Sequence, residues 1–370
     1  MIENEWDENN LISLINDCII IENNINEINK INDNIKKSNL NRNAKIEYNI
    51  EEEHLKNLID NIKNFGKIIT DDFNLEMRKP IHKLTNHSSS VFCLCVLNDG
   101  RLVSGSADKS IIIYNKDTYQ PDLIIKKHNN YICCIIQLSS GELVSCSSDN
   151  LINLYKIKGV QYELVQTLNY HSNIVWKILE LKNKVLISCS NDSSIIFYSK
   201  NNNEFKKNYQ ISTNGPCYSI IQTKDNEICY SESKDNRICF YDISERKVKG
   251  TISGINKYNG VRAWFIMIKK DLLLIPGSNQ LSIININEYK LIRKIEVPNA
   301  SCITGDCLLN KDTLLTGDYA EVLRQWKIEG ENLILISKKE NTHNSDINVL
   351  LNMGNGFIAS GSDDKTIKIW

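Results

Sequence analysis

The strongest constraint on this chain is a pattern that returns seven times at one spacing. A polar anchor, most often His, precedes by 27 positions the aromatic residue that closes an alternating apolar run, and an Asp stands six positions before that aromatic. His87 pairs in this way with Tyr114, His128 with Tyr155, His171 with Tyr198 and His343 with Trp370. Asn214 with Tyr241 and Asn299 with Trp326 keep the offset with Asn as the anchor, and Asn259 with Ile286 is a degraded seventh pair. Consecutive closing positions lie 40 to 45 residues apart, a length that holds four short strands.

The best copies read NHSSSVFCLCVLNDGRLVSGSADKSIIIY from Asn86 and THNSDINVLLNMGNGFIASGSDDKTIKIW from Thr342. Each has two apolar runs split by a Gly-containing turn, and a third run after the Asp. These copies resemble WD repeats, in which a Gly-His pair usually precedes the first strand and the third strand ends in Trp-Asp. This chain keeps the His in four copies, lacks the Gly before it and closes with Tyr more often than Trp. The resemblance covers residues 78 to 370. It implies an all-β fold, a seven-bladed β-propeller over residues 76–370; residues 1–75 ahead of it read, from their own spacing, as an α-helical segment.

His, Ser and Asp recurring together invite a reading as nucleophilic catalysis, which needs a nucleophile, a base and an orienting carboxylate within hydrogen-bond reach. Their repetition argues otherwise, since an active site has no reason to recur in every copy whereas a structural network needed once per blade must. The resemblance implies that His87, Ser104, Asp108 and Tyr114 form such a network. The corresponding sets are His128, Ser145, Asp149 and Tyr155; His171, Ser188, Asp192 and Tyr198; and His343, Ser360, Asp364 and Trp370, with Asp235 and Tyr241 in copy four. Copy five has Pro276, Gln280 and Ile286 at the hydroxyl, Asp and aromatic positions, and copy six has Ala320 at the Asp position. Those two blades are expected to be less tightly clamped.

The third strand of copy seven ends at Trp370, leaving that blade one strand short. Lys79 to Leu84 lie just ahead of His87, where every other copy has its preceding outer strand. Pairing this segment onto blade seven closes the ring without a long exposed edge.

Residues 1 to 75 are rich in Asn, Ile, Lys and Glu and nearly free of Gly. Leu11, Leu14, Cys18, Ile21, Ile25, Ile28 and Ile35 alternate at spacings of three and four, with Asn32 in the one polar slot, which is a heptad seam. A shorter helical pattern runs through Leu55, Leu58, Ile62 and Phe65. The segment reads either as a coiled coil with itself or a helical partner, or as a hairpin against the propeller or a partly ordered Asn-rich tail.

With 370 residues, 41% hydrophobic content and a net charge of −1, the chain can bury a large core and has no bulk attraction to nucleic acid or membrane. The start MIENEWDENN is acidic where a signal peptide needs positive charge, and no apolar run reaches the roughly 18 residues of a membrane span. A cytoplasmic protein is expected, with the nucleus also open to it. Of the twelve Cys, Cys93, Cys95, Cys133, Cys146, Cys189, Cys229 and Cys239 fall in predicted strands, where a reduced thiol acts as a small hydrophobe. No CxxC pair and no Gly-rich phosphate loop occurs, so zinc, redox and nucleotide readings lack support, no cofactor is expected, and nothing points to an enzyme.

In WD-repeat propellers partners commonly meet the narrow top face. The resemblance places that face at the third and fifth residues after each anchor and the residue before the Asp. Those offsets select Phe92, Tyr131, Trp176, Lys234, Arg262, Trp264, Tyr319, Asp346 and Asp363 as candidate partner contacts. Aromatic residues and Arg dominate binding hot spots, and the two aspartates suit a partner with an apolar centre and one basic group. A register slip of one residue would instead point Phe92, Trp176 and Trp264 into the core.

These features lead to a non-enzymatic scaffold for protein–protein interaction, with the helical segment serving oligomerisation or a second partner. Helix followed by seven blades is similar in layout to the beta subunit of heterotrimeric G proteins, whose helix pairs with a small helical partner. A substrate receptor of a ubiquitin ligase is the alternative. Residues 1 to 75 show no F-box helices, however, and Tyr241-Asp242-Ile243-Ser244 lacks the Arg that cullin-adaptor-binding propellers carry two places after the Asp. RNA binding would need a basic face, and only Lys234 and Arg262 are cationic among the selected positions.

Overall fold

In a computed structural model the described residues are 75–76, 78–202, 204–255, 265–354 and 356–370. The heptad segment, Asn259, Arg262 and Trp264 lie outside them. The unit Asn74–Trp370 contains seven four-stranded antiparallel sheets, six of them built from consecutive strands. Blade one runs through Val91–Val96, Leu102–Ser106, Ile111–Tyr114 and Pro121–Ile125, and blade two through Ile132–Gln137, Leu143–Ser147, Ile152–Lys158 and Gln161–Leu168. Blade three begins at Val175, blade four at Ile220, blade five at Ile266 and blade six at Ile303.

Blade seven joins the two ends of the repeat region. Its first three strands are Ile347–Asn352, Ile358–Ser362 and Ile367–Ile369, and its fourth is His82–Leu84. His82 pairs with Ile369, Lys83 with Lys368 and Leu84 with Ile367. Ring closure by this segment is therefore part of the fold.

Position within a blade decides what each strand can be made of. Second strands have neighbouring blades on both faces, and Leu102–Ser106, Leu143–Ser147 and Leu186–Ser190 are buried at every residue. They read as continuous runs of apolar and small residues, as sheet segments covered on both sides do. Fourth strands lie at the rim, and Gln161–Leu168 and Asn332–Lys339 each hold a single buried residue.

The core sits between blades. Ile112, Tyr114, Ala359 and Ile367 pack blade one on blade seven, Val103, Ile113, Ile132 and Leu143 pack blade one on blade two, and Cys229, Phe240, Leu273 and Ile284 pack blade four on blade five. Each fully buried Leu, Ile or Phe contributes about 1.5–3 kcal/mol by leaving water. The fit is close enough to need missing side chains: a Cβ on Gly105 would stand 2.6 Å from Cys93 Sγ and 2.7 Å from an Ile132 methyl, and one on Gly361 2.8 Å from Val91.

The turn between second and third strands explains the repeated Asp. The residue after it is left-handed in five blades, at Lys109, Asn150, Ser193, Asn236 and Lys365 (φ 47° to 72°), a conformation most side chains avoid. Asp108 Oδ1 accepts the Ser110 N–H at 2.9 Å, and Asp149 and Asp364 accept the corresponding N–H groups of Leu151 and Thr366. The Asp side chain thus takes over the role of a backbone acceptor in the turn.

Candidate partner-binding face

The same carboxylates organise the turn at the other end of the repeat. His87 Nδ1 lies 2.8 Å from Asp108 Oδ2 and its Nε2 2.7 Å from Ser104 Oγ, and the Ser88 N–H donates to Asp108 Oδ2 at 3.0 Å. The arrangement repeats at His128 with Asp149 and Ser145, His171 with Asp192 and Ser188, and His343 with Asp364 and Ser360. With Nδ1–H donating to the carboxylate, Nε2 accepts from the serine hydroxyl. Burial by itself raises the pKa of Asp108, Asp192 and Asp364. The histidine hydrogen bonds, the hydroxyls of Ser110, Ser194 and Thr366, and the adjacent backbone N–H groups outweigh it and hold all three well below the usual carboxylate range. His343 is held below its ordinary value, first by burial, against the pull of Asp364.

Geometrically this is a Ser-His-Asp relay, yet Ser104, Ser145, Ser188 and Ser360 are 0% exposed. No substrate carbonyl can reach a hydroxyl in that position, so the groups serve the turn. Among the described residues no group of three metal-ligating side chains is placed to hold an ion, and no helix is long and apolar enough to cross a membrane.

The fourth member of each set differs between blades. Tyr198 OH donates to Ser188 Oγ at 2.9 Å, and Trp370 Nε1 donates to Ser360 Oγ at 2.8 Å. Tyr114 and Tyr155 are equally buried, but their hydroxyls make no hydrogen bond. In those two blades the network stops at three residues, and the ring adds packing alone. In blade four Asn214 Nδ2 donates to Asp235 Oδ2, while Ser231 Oγ is taken by the N–H groups of Tyr218 and Ser219 and leaves Tyr241 outside the network.

Blade six is clamped differently from the others. Trp326 Nε1 donates to Thr316 Oγ1 at 2.9 Å, and Asp318, two positions before Ala320, accepts the N–H groups of Ala320 and Val322 and pairs with Arg324. Both members of that ion pair are buried. The carboxylate has moved two residues along the turn and brought its own counter-ion. In blade five Ser282 Oγ is buried without a partner, and the first strand is only Ile266–Met267.

Phe92, Tyr131 and Trp176 each lie at the start of a first strand and are half-buried. The Phe92 and Tyr131 rings meet edge-on at 5.8 Å, and Trp176 meets Tyr218 at 5.5 Å. Tyr131 and Trp176 rest on the cluster between blades two and three, so one side of each ring is in the core and the other is not. Lys234 is exposed and Tyr319 half-buried.

Asp346 and Asp363 adjoin on blade seven, where the Asp363 N–H donates to the Asp346 carbonyl at 2.9 Å. The buried Asn348 joins them to blade one, donating to Asp363 Oδ1 at 2.6 Å and to the Val91 carbonyl at 3.2 Å. Asp363 is thereby committed to Asn348. Burial, then the charges of Asp363, Glu321 and Asp318, raise the pKa of Asp346.

Counted from Asn214, the third and fifth positions fall on Cys217 and Ser219, both buried, and miss Tyr218. In that blade Ile220, six positions after its anchor, pairs opposite Tyr230, whereas in blade one it is Cys95, eight positions after, that pairs opposite the equivalent Val103. A first strand shifted by two residues, beside Gly215-Pro216, breaks the offset.

The family model described as WD domain, G-beta repeat, matches residues 78–115 and 337–370. These spans hold copy one with the closing strand and copy seven, so the first and last copies of the seven-bladed propeller match the WD40 repeat. No curated protein matches the chain.

Proposed function

We propose that this WD40-repeat propeller is a non-enzymatic interaction scaffold, and that it holds a protein partner across the turns of blades seven, one, two, three and four. Propellers of this kind generally serve as platforms for other proteins. The observation that carries the finer reading is the pairing of half-buried aromatic rings, Phe92 with Tyr131 and Trp176 with Tyr218, on consecutive blades. Such rings are anchored on one side, so a partner can bury the other side at little cost in side-chain entropy. Asp346, whose carboxylate is not consumed by Asn348, supports a basic group on the partner. Lys234 belongs to the same proposed face, and Arg262, Trp264 and Tyr319, chosen by the repeat offsets alone, are proposed as further contacts from copies five and six.

The second attachment is the heptad segment within residues 1–75, acting in self-association or with a helical partner. Joining two binding sites on one chain raises the effective concentration of one partner near the other.

Tyr131→Ala and Trp176→Ala tested for partner capture from the protein's native extract, alongside thermal unfolding, separate this reading from a packing role. Loss of capture with an unchanged melting temperature supports the face, and a large fall in melting temperature with capture retained overturns it. Light scattering on the full chain and on residues 76–370 tests the heptad segment: a dimeric full chain beside a monomeric propeller supports self-association, and equal stoichiometry overturns it.

A further inference from the structure

Cys134 and Cys146 stand directly opposite one another on the first and second strands of blade two. The matching opposed positions hold Cys93 and Gly105 in blade one, Lys177 and Cys189 in blade three, and Val349 and Gly361 in blade seven. Of these blades only blade two sets sulfur against sulfur. Opposed residues of an antiparallel ladder have Cα atoms about 4.5–5.5 Å apart, inside the range of about 4.4–6.8 Å that a disulfide bridges without backbone movement. Each thiol shifts the pKa of the other. Both belong to the cluster between blades two and three, and Cys134 Sγ lies 4.0 Å from the Ile178 carbonyl.

Cys134 is reached from within the ring. It lines a cavity of about 280 Å³ bounded by the innermost strands of six blades, together with Cys93, Lys177 and Asp306. A volume of that size admits several water-sized molecules at about 30 Å³ each. The two sulfurs have opposite characters. Proximity to Cys146 and the charge of Lys177 draw the Cys134 thiol below its ordinary pKa, and burial pushes Cys146 well above. Cys134 lines the cavity and Cys146 does not, which makes Cys134, in its reactive thiolate form, the attacking sulfur and Cys146 the resolving one.

We propose that Cys134 and Cys146 are a reversible redox pair, closed to a cross-strand disulfide by hydrogen peroxide that enters the central cavity. The Cys134 thiolate attacks one peroxide oxygen, the O–O bond breaks, and the departing oxygen leaves as water after taking a proton. Cys134 becomes a sulfenic acid. Cys146 then loses its proton and its sulfur attacks the Cys134 sulfur, breaking the S–O bond, releasing a second water and forming the S–S bond. Two thiols give up two electrons and one peroxide accepts them, and a dithiol reductant reverses the result. The pair escapes a search for CxxC because its members are twelve residues apart in sequence and meet only through strand register.

The test exposes the folded full chain to hydrogen peroxide, removes the peroxide, unfolds the chain in excess alkylating agent, and maps the peptides without reduction. The expected result is a Cys134–Cys146 cross-linked peptide, lighter by two hydrogens and lost on dithiol treatment. In Cys146→Ser the reaction stops at a Cys134 sulfenic acid captured by a dimedone probe. Full alkylation of both residues while Cys95 or Cys302 is oxidised, or a cross-link seen only when denaturant accompanies the peroxide, overturns the proposal. The wild-type map decides the question even where a variant fails to fold.

Discussion

The Ile81 N–H donates to the Ile369 carbonyl at 2.8 Å, and through that bond a strand from the start of the repeat region becomes the rim of its last blade. Leu84, on the same strand, is 6% exposed in the cluster between blades one and seven. Leu84→Ala is expected to cost about 2–4 kcal/mol, as large-to-small core substitutions do. Deleting residues 78–86 is expected to do more and open the ring, with hydrogen exchange rising first at Ile367 and Ile369. Exchange rising evenly over all blades would show that closure is not local to this seam.

Blades three and four offer a comparison between a four-membered network and a broken one. His171→Ala leaves Ser188 and Asp192 without their central partner in a site where Ser188 is 0% exposed. The expected loss is about 1–3 kcal/mol, the cost of orphaning a buried polar group. Asn214→Ala removes one bond to Asp235, which is exposed, and is expected to cost less. Urea midpoints of the two variants give the order directly.

What the sequence disclosed and what it hid divide along physical lines. The anchor, hydroxyl and Asp positions were legible because each blade needs the same turn, and a need repeated in every copy leaves a column in the sequence. Tyr218 was not legible, because blade four pairs its first strand two residues early and an offset counted from the anchor cannot detect that. Asp318 was hidden for the opposite reason: its turn is satisfied, but from a neighbouring position with Arg324 supplying charge, so reading Ala320 alone suggested an empty site. The missing bonds of Tyr114 and Tyr155 differ from the bonded Tyr198 in geometry and not in residue type, so no pattern could separate them.

Acid should weaken the propeller in two stages. His343 has its folded pKa lowered, so the unfolded chain binds the proton more readily. Its contribution is complete above the ordinary imidazole value of about 6.5 and is lost as pH falls below it. Asp108, Asp192 and Asp364 are lowered as well. Their contribution is complete above the ordinary carboxylate value of about 3.9 and is lost as pH falls toward the folded values. Asp306 is pushed up to about 7 by burial and gains stability over the window in which His343 loses it, so the decline is read in Asp306→Asn, whose urea midpoints from pH 8 to pH 3 should fall gently below neutrality and steeply below pH 4. A midpoint of that variant that rises between pH 7 and pH 5 contradicts the assignment for His343.

The Asp318–Arg324 pair of blade six is buried on both sides, with side chains 0% and 4% exposed. Removing one partner leaves an uncompensated charge in a site closed to water, so Asp318→Ser or Arg324→Ile alone is expected to cost about 3–5 kcal/mol. Making both changes restores the residue types of blade one, where Ser106 and Ile112 occupy the corresponding positions, and removes the charge altogether. Replacing a buried ion pair by well-packed apolar groups is often neutral or stabilising by about 1–4 kcal/mol, so the double variant should be far more stable than either single one. The turn still loses the acceptor that Asp318 Oδ1 offers to the N–H groups of Ala320 and Val322. Adding Ala320→Asp returns a carboxylate to the position it holds in blades one, two, three and seven, and should recover that loss. A double-mutant cycle read by urea unfolding measures the coupling, and single costs that simply add would show that the two side chains act independently.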